Sequence, residues 1–66
     1  MNFLKLHKDG VEMLINMDSV IEIYKWGDRG KSVLYFGSVI DDEQVHIIVD
    51  ESLDEIYEKL KYAKQA

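Results

Sequence analysis

The segment from residue 45 to residue 60 constrains the fold more than any other part of the chain. Residues 45–49 (VHIIV) are mostly β-branched and predict a strand. Residues 52–55 (SLDE) match a capping box, in which a serine and a glutamate each bond a free backbone N–H at the start of a helix. Because this strand is followed so closely by a helix, the segment predicts an α+β domain in which the helix packs against a sheet.

The helix is predicted over residues 52–64. Acidic residues lie near its positive N-terminal end, and lysines near its negative C-terminal end, where each charge is favourable. Apolar residues recur at helical spacing and predict one buried face. That face consists of Leu53, Ile56, Leu60 and Ala63, with Tyr57 beside it.

Alternating and β-branched segments ahead of the helix predict the remaining strands. Asp9-Gly10 lies between two such segments and is typical of a tight hairpin turn, since both residues accept positive φ. Short connections favour antiparallel neighbours. The prediction is one domain over residues 1–66, a curled antiparallel meander of about five strands. The predicted strands are residues 3–8, 11–16, 20–26, 31–36 and 44–49. Residues 39–40 either extend the fourth strand or belong to the connection.

The size of the chain and its lack of cysteine limit how the fold can be stabilised. A chain of 66 residues buries only about 60% of the surface that its unfolded form exposes, and small domains often need a staple or a partner. With no cysteine, neither a disulfide nor a thiolate metal site is available, which fits a cytoplasmic protein. The first eight residues do not resemble a signal peptide, and no apolar run reaches the roughly 20 residues of a membrane helix.

The net charge is −5, and residues 41–58 contain no lysine or arginine. The uncompensated carboxylates of this segment would repel phosphate groups. We therefore expect neither a nucleic-acid partner nor a membrane partner.

Several strands are apolar on both faces. In the fourth strand Val33 and Tyr35 point one way, whereas Leu34 and Phe36 point the other. A single helix covers one face, so the second must be closed by curling toward a barrel or by another chain. We expect a homo-oligomer, and a different protein partner is also possible.

Two patterns resemble ligand sites but fit structural roles better. Gly30-Lys31-Ser32 ends like a phosphate-binding loop, but Lys25 occupies the position of its first glycine and a strand follows instead of a helix. This pattern predicts a hairpin glycine followed by an exposed lysine and serine. His7 and His46 lack metal-ligand spacing, so each is expected to be solvent-facing or hydrogen-bonded. If their strands pair, the two histidines and a carboxylate form an alternative shared site.

Acidic residues form two further candidate sites. Residues 41–43 (DDE) lack the alternate acids and central glycine of a calcium loop, which predicts a solvated turn. The acids of the helix start fit capping and solvent exposure better than paired catalytic carboxylates, and Glu55 and Lys59 have favourable i,i+4 spacing. No serine or threonine has a recognisable base beside it. We therefore predict no catalytic, cofactor-binding or metal-binding residue, and a non-enzymatic protein. These helix-start acids are Asp50, Glu51, Asp54, Glu55 and Glu58.

Aromatic residues cluster on the third and fourth strands. Exposed aromatic side chains on a sheet stack bases in some proteins, but a basic patch normally surrounds them. Without such a patch, cross-strand packing or a subunit contact is favoured. The cluster consists of Tyr24, Trp26, Tyr35 and Phe36.

The order of these signals resembles a known family. Residues 6–16 (LHKDGVEMLIN), followed by residues 20–23 (VIEI), are similar to the start of the small FlbD-type flagellar proteins, and residues 47–56 (IIVDESLDEI) are similar to their end. The resemblance covers nearly the whole chain and implies an accessory role in motility, with no catalytic residues. The connection over residues 37–44 departs from the family, which has a tight glycine turn there.

A second resemblance is to the carbon storage regulator family of RNA-binding dimers. It involves the short strands, the C-terminal helix and residues 55–57 (EIY), but the basic strand residues of that family are missing. The leading hypothesis is thus a non-enzymatic interaction or assembly module. The alternatives are a small-molecule-binding or enzymatic protein with a site between subunits, and an RNA-binding dimer. The small-molecule alternative requires His7 or His46 beside a carboxylate.

Overall fold

A computed structural model describes residues 2–63 as five antiparallel strands followed by one helix. The α+β class and the C-terminal helix are therefore confirmed. Lys64, predicted as the last helical residue, lies outside the described residues. The elements are β1 (Phe3–Lys8), β2 (Val11–Asn16), a 3₁₀ helix (Met17–Ser19), β3 (Val20–Trp26), β4 (Lys31–Ile40), β5 (Glu43–Val49) and α1 (Leu53–Ala63).

The strands are divided between two sheets. β1 pairs with β2, and a second sheet has the order β3-β4-β5. The division falls at the 3₁₀ helix, where the Asn16 side chain accepts a hydrogen bond from the backbone N–H of Asp18 (3.1 Å) and ends the strand, as asparagine side chains do in turns. Successive strands are thus antiparallel within each sheet, as predicted, while the sheet breaks between β2 and β3.

All three hairpin turns contain residues with positive φ, which in the β3–β4 turn are Gly27 (62°) and Gly30 (73°). At the β1–β2 turn, φ is 50° for Asp9 and 81° for Gly10, which confirms the turn predicted from this pair. At the β4–β5 turn, φ is 52° for Asp41 and 65° for Asp42. Because the β4–β5 turn has only two residues, β4 runs to Ile40, four residues beyond its predicted end.

The longer β4 creates a projecting two-stranded arm, defined here as residues 37–45. β4 pairs with β3 only as far as Phe36, and beyond it Val39 and Ile40 pair with β5 alone. The register shifts between Tyr35 and Val39, and the Gln44 side-chain amide donates to the Phe36 carbonyl (3.1 Å) at this irregularity. The region where the sequence departs from the FlbD-type pattern is therefore a strand extension with a tight turn.

The core lies between the two sheets and α1. Each buried aliphatic side chain contributes about 1.5–3 kcal/mol relative to an exposed one. Ile56, only 1% exposed, connects the helix to both sheets. The six buried residues of this core are Leu4, Leu6, Ile15, Leu34, Val49 and Ile56.

The helix begins with the predicted capping box. The Ser52 backbone N–H donates to the Glu55 carboxylate (3.3 Å), and the Glu55 N–H donates to the Ser52 hydroxyl (3.2 Å). These bonds satisfy two backbone donors that a helix start leaves free. The cap fixes the point at which the chain turns from the sheet into α1.

Candidate functional site

Two acidic residues at the end of β5 bond to the β1–β2 hairpin. The Asp50 carboxylate accepts hydrogen bonds from the backbone N–H groups of Gly10 (2.8 Å) and Asp9 (3.1 Å). The Gly10 bond is the main reason that the pKa of Asp50 lies below its usual value, and the Lys31 ammonium, 3.6 Å away, acts in the same direction. Asp50 therefore holds the hairpin turn as an ionised carboxylate.

Glu51 bonds to His7 through both carboxylate oxygens. Oε1 accepts from the His7 backbone N–H (2.8 Å), and Oε2 lies 2.6 Å from the His7 Nδ1 atom. Burial by itself raises the pKa of Glu51, but the two hydrogen bonds from His7 outweigh it and leave the pKa below its usual value. We call His7, Asp50 and Glu51 the clamp.

The clamp joins the two sheets at one point. The Asp50 backbone N–H donates to the His7 carbonyl (2.7 Å), and the buried Ser32 hydroxyl donates to the Glu51 carbonyl (2.9 Å). Two sequence predictions were therefore wrong. Glu51 is 6% exposed and bonds to a distant strand instead of facing solvent, and Ser32 is fully buried although it was expected to be exposed.

A shallow cleft of about 260 Å³ opens beside the clamp. A histidine held by a buried carboxylate is the arrangement that orients a general base. The cleft is lined by His7, Gly10, Asp50, Glu51 and Glu55, so its lining has no hydroxyl, thiol or amine to act as a nucleophile. Across residues 2–63, no group of three or more histidine, cysteine or acidic residues is arranged to hold a metal ion.

The two histidines have separate surroundings. His7 contacts Glu51 and, more distantly, Glu12 (Nε2 to Oε2, 3.9 Å). His46 is exposed, its Nδ1 atom lies 3.2 Å from the Gln44 carbonyl, and its ring packs against Tyr35 with centroids 5.5 Å apart. β1 and β5 do not pair as strands, and the two histidines share no partner among these contacts. Asp41 and Asp42 form the turn of the arm, Glu43 is the first residue of β5, and all three are exposed.

Three of the four aromatic residues in the predicted cluster share one face of the β3-β4-β5 sheet. Tyr24 and Tyr35 make an edge-to-face contact with centroids 5.8 Å apart, and the Tyr24 hydroxyl donates to Glu22 (2.6 Å), which raises the pKa of Tyr24. Phe36 points to the opposite face, toward the core. We define the outer face as Tyr24, Trp26, Val33, Tyr35, His46 and Ile48, which the strand register places on the side away from the core.

The outer face is largely apolar; its β3 side chains are exposed, whereas Val33 on the central strand is only 3% exposed. Tyr24 is 50% exposed and Trp26 is 47% exposed. The β1–β2 hairpin and α1 both pack on the opposite side, where Leu34 and Val49 are fully buried. The prediction that the second face of this sheet is apolar is thus confirmed for the strands that form it.

A second apolar surface, which the sequence analysis missed, lies between β3 and α1. It is a groove of about 300 Å³ beside the free edge of β3, and we call it the helix groove. Leu53 and Tyr57 line it and are 43% and 65% exposed. Its lining residues are Ile23, Leu53, Asp54, Ile56, Tyr57 and Leu60. The amphipathic pattern of α1 placed Leu53 and Leu60 on a buried face but contained no sign that part of this face stays open.

Comparisons of this chain with protein-family models, with curated proteins and with solved structures found no match. Within residues 2–63, the single helix is too short and too polar to cross a membrane.

Proposed function

We propose that this protein is a non-enzymatic interaction or assembly module of the cytoplasm, which binds other protein surfaces and forms a homo-oligomer. One observation carries the proposal: the outer face and the helix groove both expose large apolar side chains to solvent. Monomeric proteins rarely leave contiguous patches of this kind uncovered, and such patches commonly mark interaction sites.

The polar groups of the molecule support this proposal. Asp50 and Glu51, the carboxylates with lowered pKa, are bonded to backbone N–H groups of the β1–β2 hairpin. These bonds hold the two sheets together, which is a structural use of groups that elsewhere perform acid–base chemistry. With these carboxylates assigned to a structural role, the exposed apolar surfaces are the candidate functional sites.

The resemblance to the FlbD-type proteins suggests the process. The β1–β2 hairpin, the 3₁₀ turn, β3 and the junction from β5 to α1 coincide with the residues that carry this resemblance. We therefore propose an accessory role in motility, in which the module contacts another protein of the motility apparatus.

The test is genetic. In the host that encodes this chain, deletion of the gene should reduce swimming or swarming, and the wild-type gene should restore it. Tyr24→Glu on the outer face and Tyr57→Glu in the helix groove each place a charge on one surface. Tyr62→Glu is the matched control, since Tyr62 is 68% exposed and does not line the groove. We expect at least one surface variant to fail at normal protein levels, while the control restores motility.

Two results would contradict the proposal. Normal motility after deletion would refute the motility role, and full complementation by both surface variants would refute the use of these surfaces.

One observation favours a second candidate, a small-molecule-binding or enzymatic protein with a site between subunits. The His7 Nδ1 atom lies 2.6 Å from a buried carboxylate beside an open cleft, and a second chain could close that cleft. A thermal-shift screen against small metabolites tests it. A compound that stabilises the wild type but not the His7→Ala/His46→Ala variant would support this candidate, and the absence of any such compound would remove it.

A further inference from the structure

We infer that the outer face is a homodimer interface, on which the same face of a second copy packs in a two-fold, sheet-on-sheet arrangement. The inference rests on the proposed function and assigns it a surface and a partner. The surface consists of the outer face together with Val39 and Gln44 of the arm, which continue the same side of β4 and β5.

The residue types of this surface are those of a protein–protein interface. Interface centres are depleted of charge and enriched in tryptophan and tyrosine, and polar residues surround them. The strand register places two charged side chains, Glu22 and Lys31, on this side of the sheet. The outer face between them is largely apolar and contains the only tryptophan of the chain. Glu22 lies opposite Tyr35 and accepts a hydrogen bond from the Tyr24 hydroxyl, whereas Lys31 lies opposite Trp26 at the end of the sheet.

The total accessible surface of the chain is larger than expected for a monomer of its mass. The accessible surface is 4952 Å². A monomeric protein of 7.7 kDa is expected to expose about 4300 Å². The chain therefore exposes roughly 600 Å² more than a monomer of its mass is expected to expose.

A second copy fits this face better than a nucleic acid or a different protein. The face is formed by three antiparallel strands, and two such faces pack well when their strands are aligned. The phosphate backbone of a nucleic acid would be repelled by a chain of net charge −5. A domain this small, with no disulfide, also gains from a partner that is present whenever the chain itself is made.

Trp26 provides a direct probe, because it is the only tryptophan and lies 47% exposed on the proposed interface. The purified wild-type protein is studied by sedimentation velocity and by tryptophan emission from sub-micromolar to high micromolar concentration. We expect a dimer whose formation shifts the emission to shorter wavelength and protects Trp26 from acrylamide. The melting temperature should rise with concentration, since dimerisation stabilises only the folded chain.

Matched variants locate the interface. Tyr24→Glu should weaken the dimer by about thirtyfold or more, the effect of losing a central interface residue. Leu14→Glu makes the same kind of change on the exposed side of β2, where the side chain is 66% exposed, and should leave the dimer intact. The conservative Tyr24→Phe should also dimerise. Circular dichroism shows whether each variant is folded at the concentrations used.

Three outcomes would overturn the inference. One is a strict monomer with fully exposed Trp26 at every concentration. Another is a dimer that Tyr57→Glu abolishes and Tyr24→Glu does not, since this would move the interface to the helix groove. The third is a monomer that binds single-stranded RNA through Tyr24 in a salt-sensitive manner. A strict monomer would also remove the homo-oligomer from the proposed function. In the first two cases, surface-dependent motility would still support a module that binds another protein, so that part of the proposed function is tested separately.

Discussion

Glu51 accepts a hydrogen bond from the backbone N–H of His7 and lies 2.6 Å from its ring, although 44 residues separate the two in the chain. The pair fastens the end of the β3-β4-β5 sheet to the β1–β2 hairpin. With Glu51 only 6% exposed, this is a polar contact that water does little to weaken.

Replacing this carboxylate should destabilise the fold. Glu51→Gln keeps the shape of the side chain but removes the charge from the contact with His7. Hydrogen bonds to charged groups contribute about 1.5–3 kcal/mol, so we expect the free energy of unfolding to fall by an amount in this range. Urea denaturation at neutral pH measures it. Glu58→Gln on the exposed side of α1 is the control, and equal effects of the two changes would refute the structural role of Glu51.

The clamp predicts how stability depends on pH. Asp50 and Glu51 have pKa values below their ordinary 3.8 and 4.5 in the folded protein, so the unfolded chain binds more protons at acidic pH. The stabilisation they provide is complete above pH 4.5 and is lost as pH falls through the two folded-state pKa values. Urea midpoints measured from neutral pH into this acidic range test this. The Asp50→Asn/Glu51→Gln variant should lose less stability on acidification, and parallel curves would contradict the assignment.

Ser32 should contribute to stability through one buried hydrogen bond. Its hydroxyl is the donor to the Glu51 carbonyl, so Ser32→Ala leaves a buried acceptor without that partner. The expected loss is about 1–3 kcal/mol in the free energy of unfolding. Ser38→Ala, at an exposed position of the arm, should be close to neutral in the same denaturation experiment. A neutral Ser32→Ala would show that the bond is dispensable.

The Ser52 side chain of the capping box should stabilise the start of α1. Ser52→Ala removes the acceptor of the Glu55 N–H and should cost about 1 kcal/mol. Glu55→Gln preserves the reciprocal bond to the Ser52 N–H, because glutamine also serves at this position, and should cost less. Thermal unfolding followed by circular dichroism at 222 nm compares them. Larger damage from Glu55→Gln than from Ser52→Ala would mean that the carboxylate has another role.

The sequence predicted the features that depend on neighbouring residues. Alternation defined β1 and β2, Asp9-Gly10 marked their turn, and residues 52–55 marked the start of α1. In each case the deciding interactions lie within a few residues of one another, so the local pattern contains the information.

The remaining features depend on residues far apart or on unusual backbone angles. Nothing near Glu51 in the chain indicates His7 as its partner, and nothing near Ser32 indicates burial. β4 was predicted too short because its turn uses Asp41 and Asp42 at positive φ, where glycine or asparagine is the usual signal. The helix groove was missed because an amphipathic pattern marks a packing face without showing how much of it is covered.

The clamp also has a consequence for the order in which the molecule assembles. The β1–β2 hairpin is synthesised before residues 50–56, yet the bonds that hold it in place come from Asp50 and Glu51, and part of its core contact comes from Ile56. An isolated two-stranded hairpin is marginally stable in water. We therefore expect the hairpin to be only loosely structured until residues 50–56 have been synthesised. Bringing the hairpin and residues 50–56 together closes a long segment of chain, and we expect this step to limit the rate of folding.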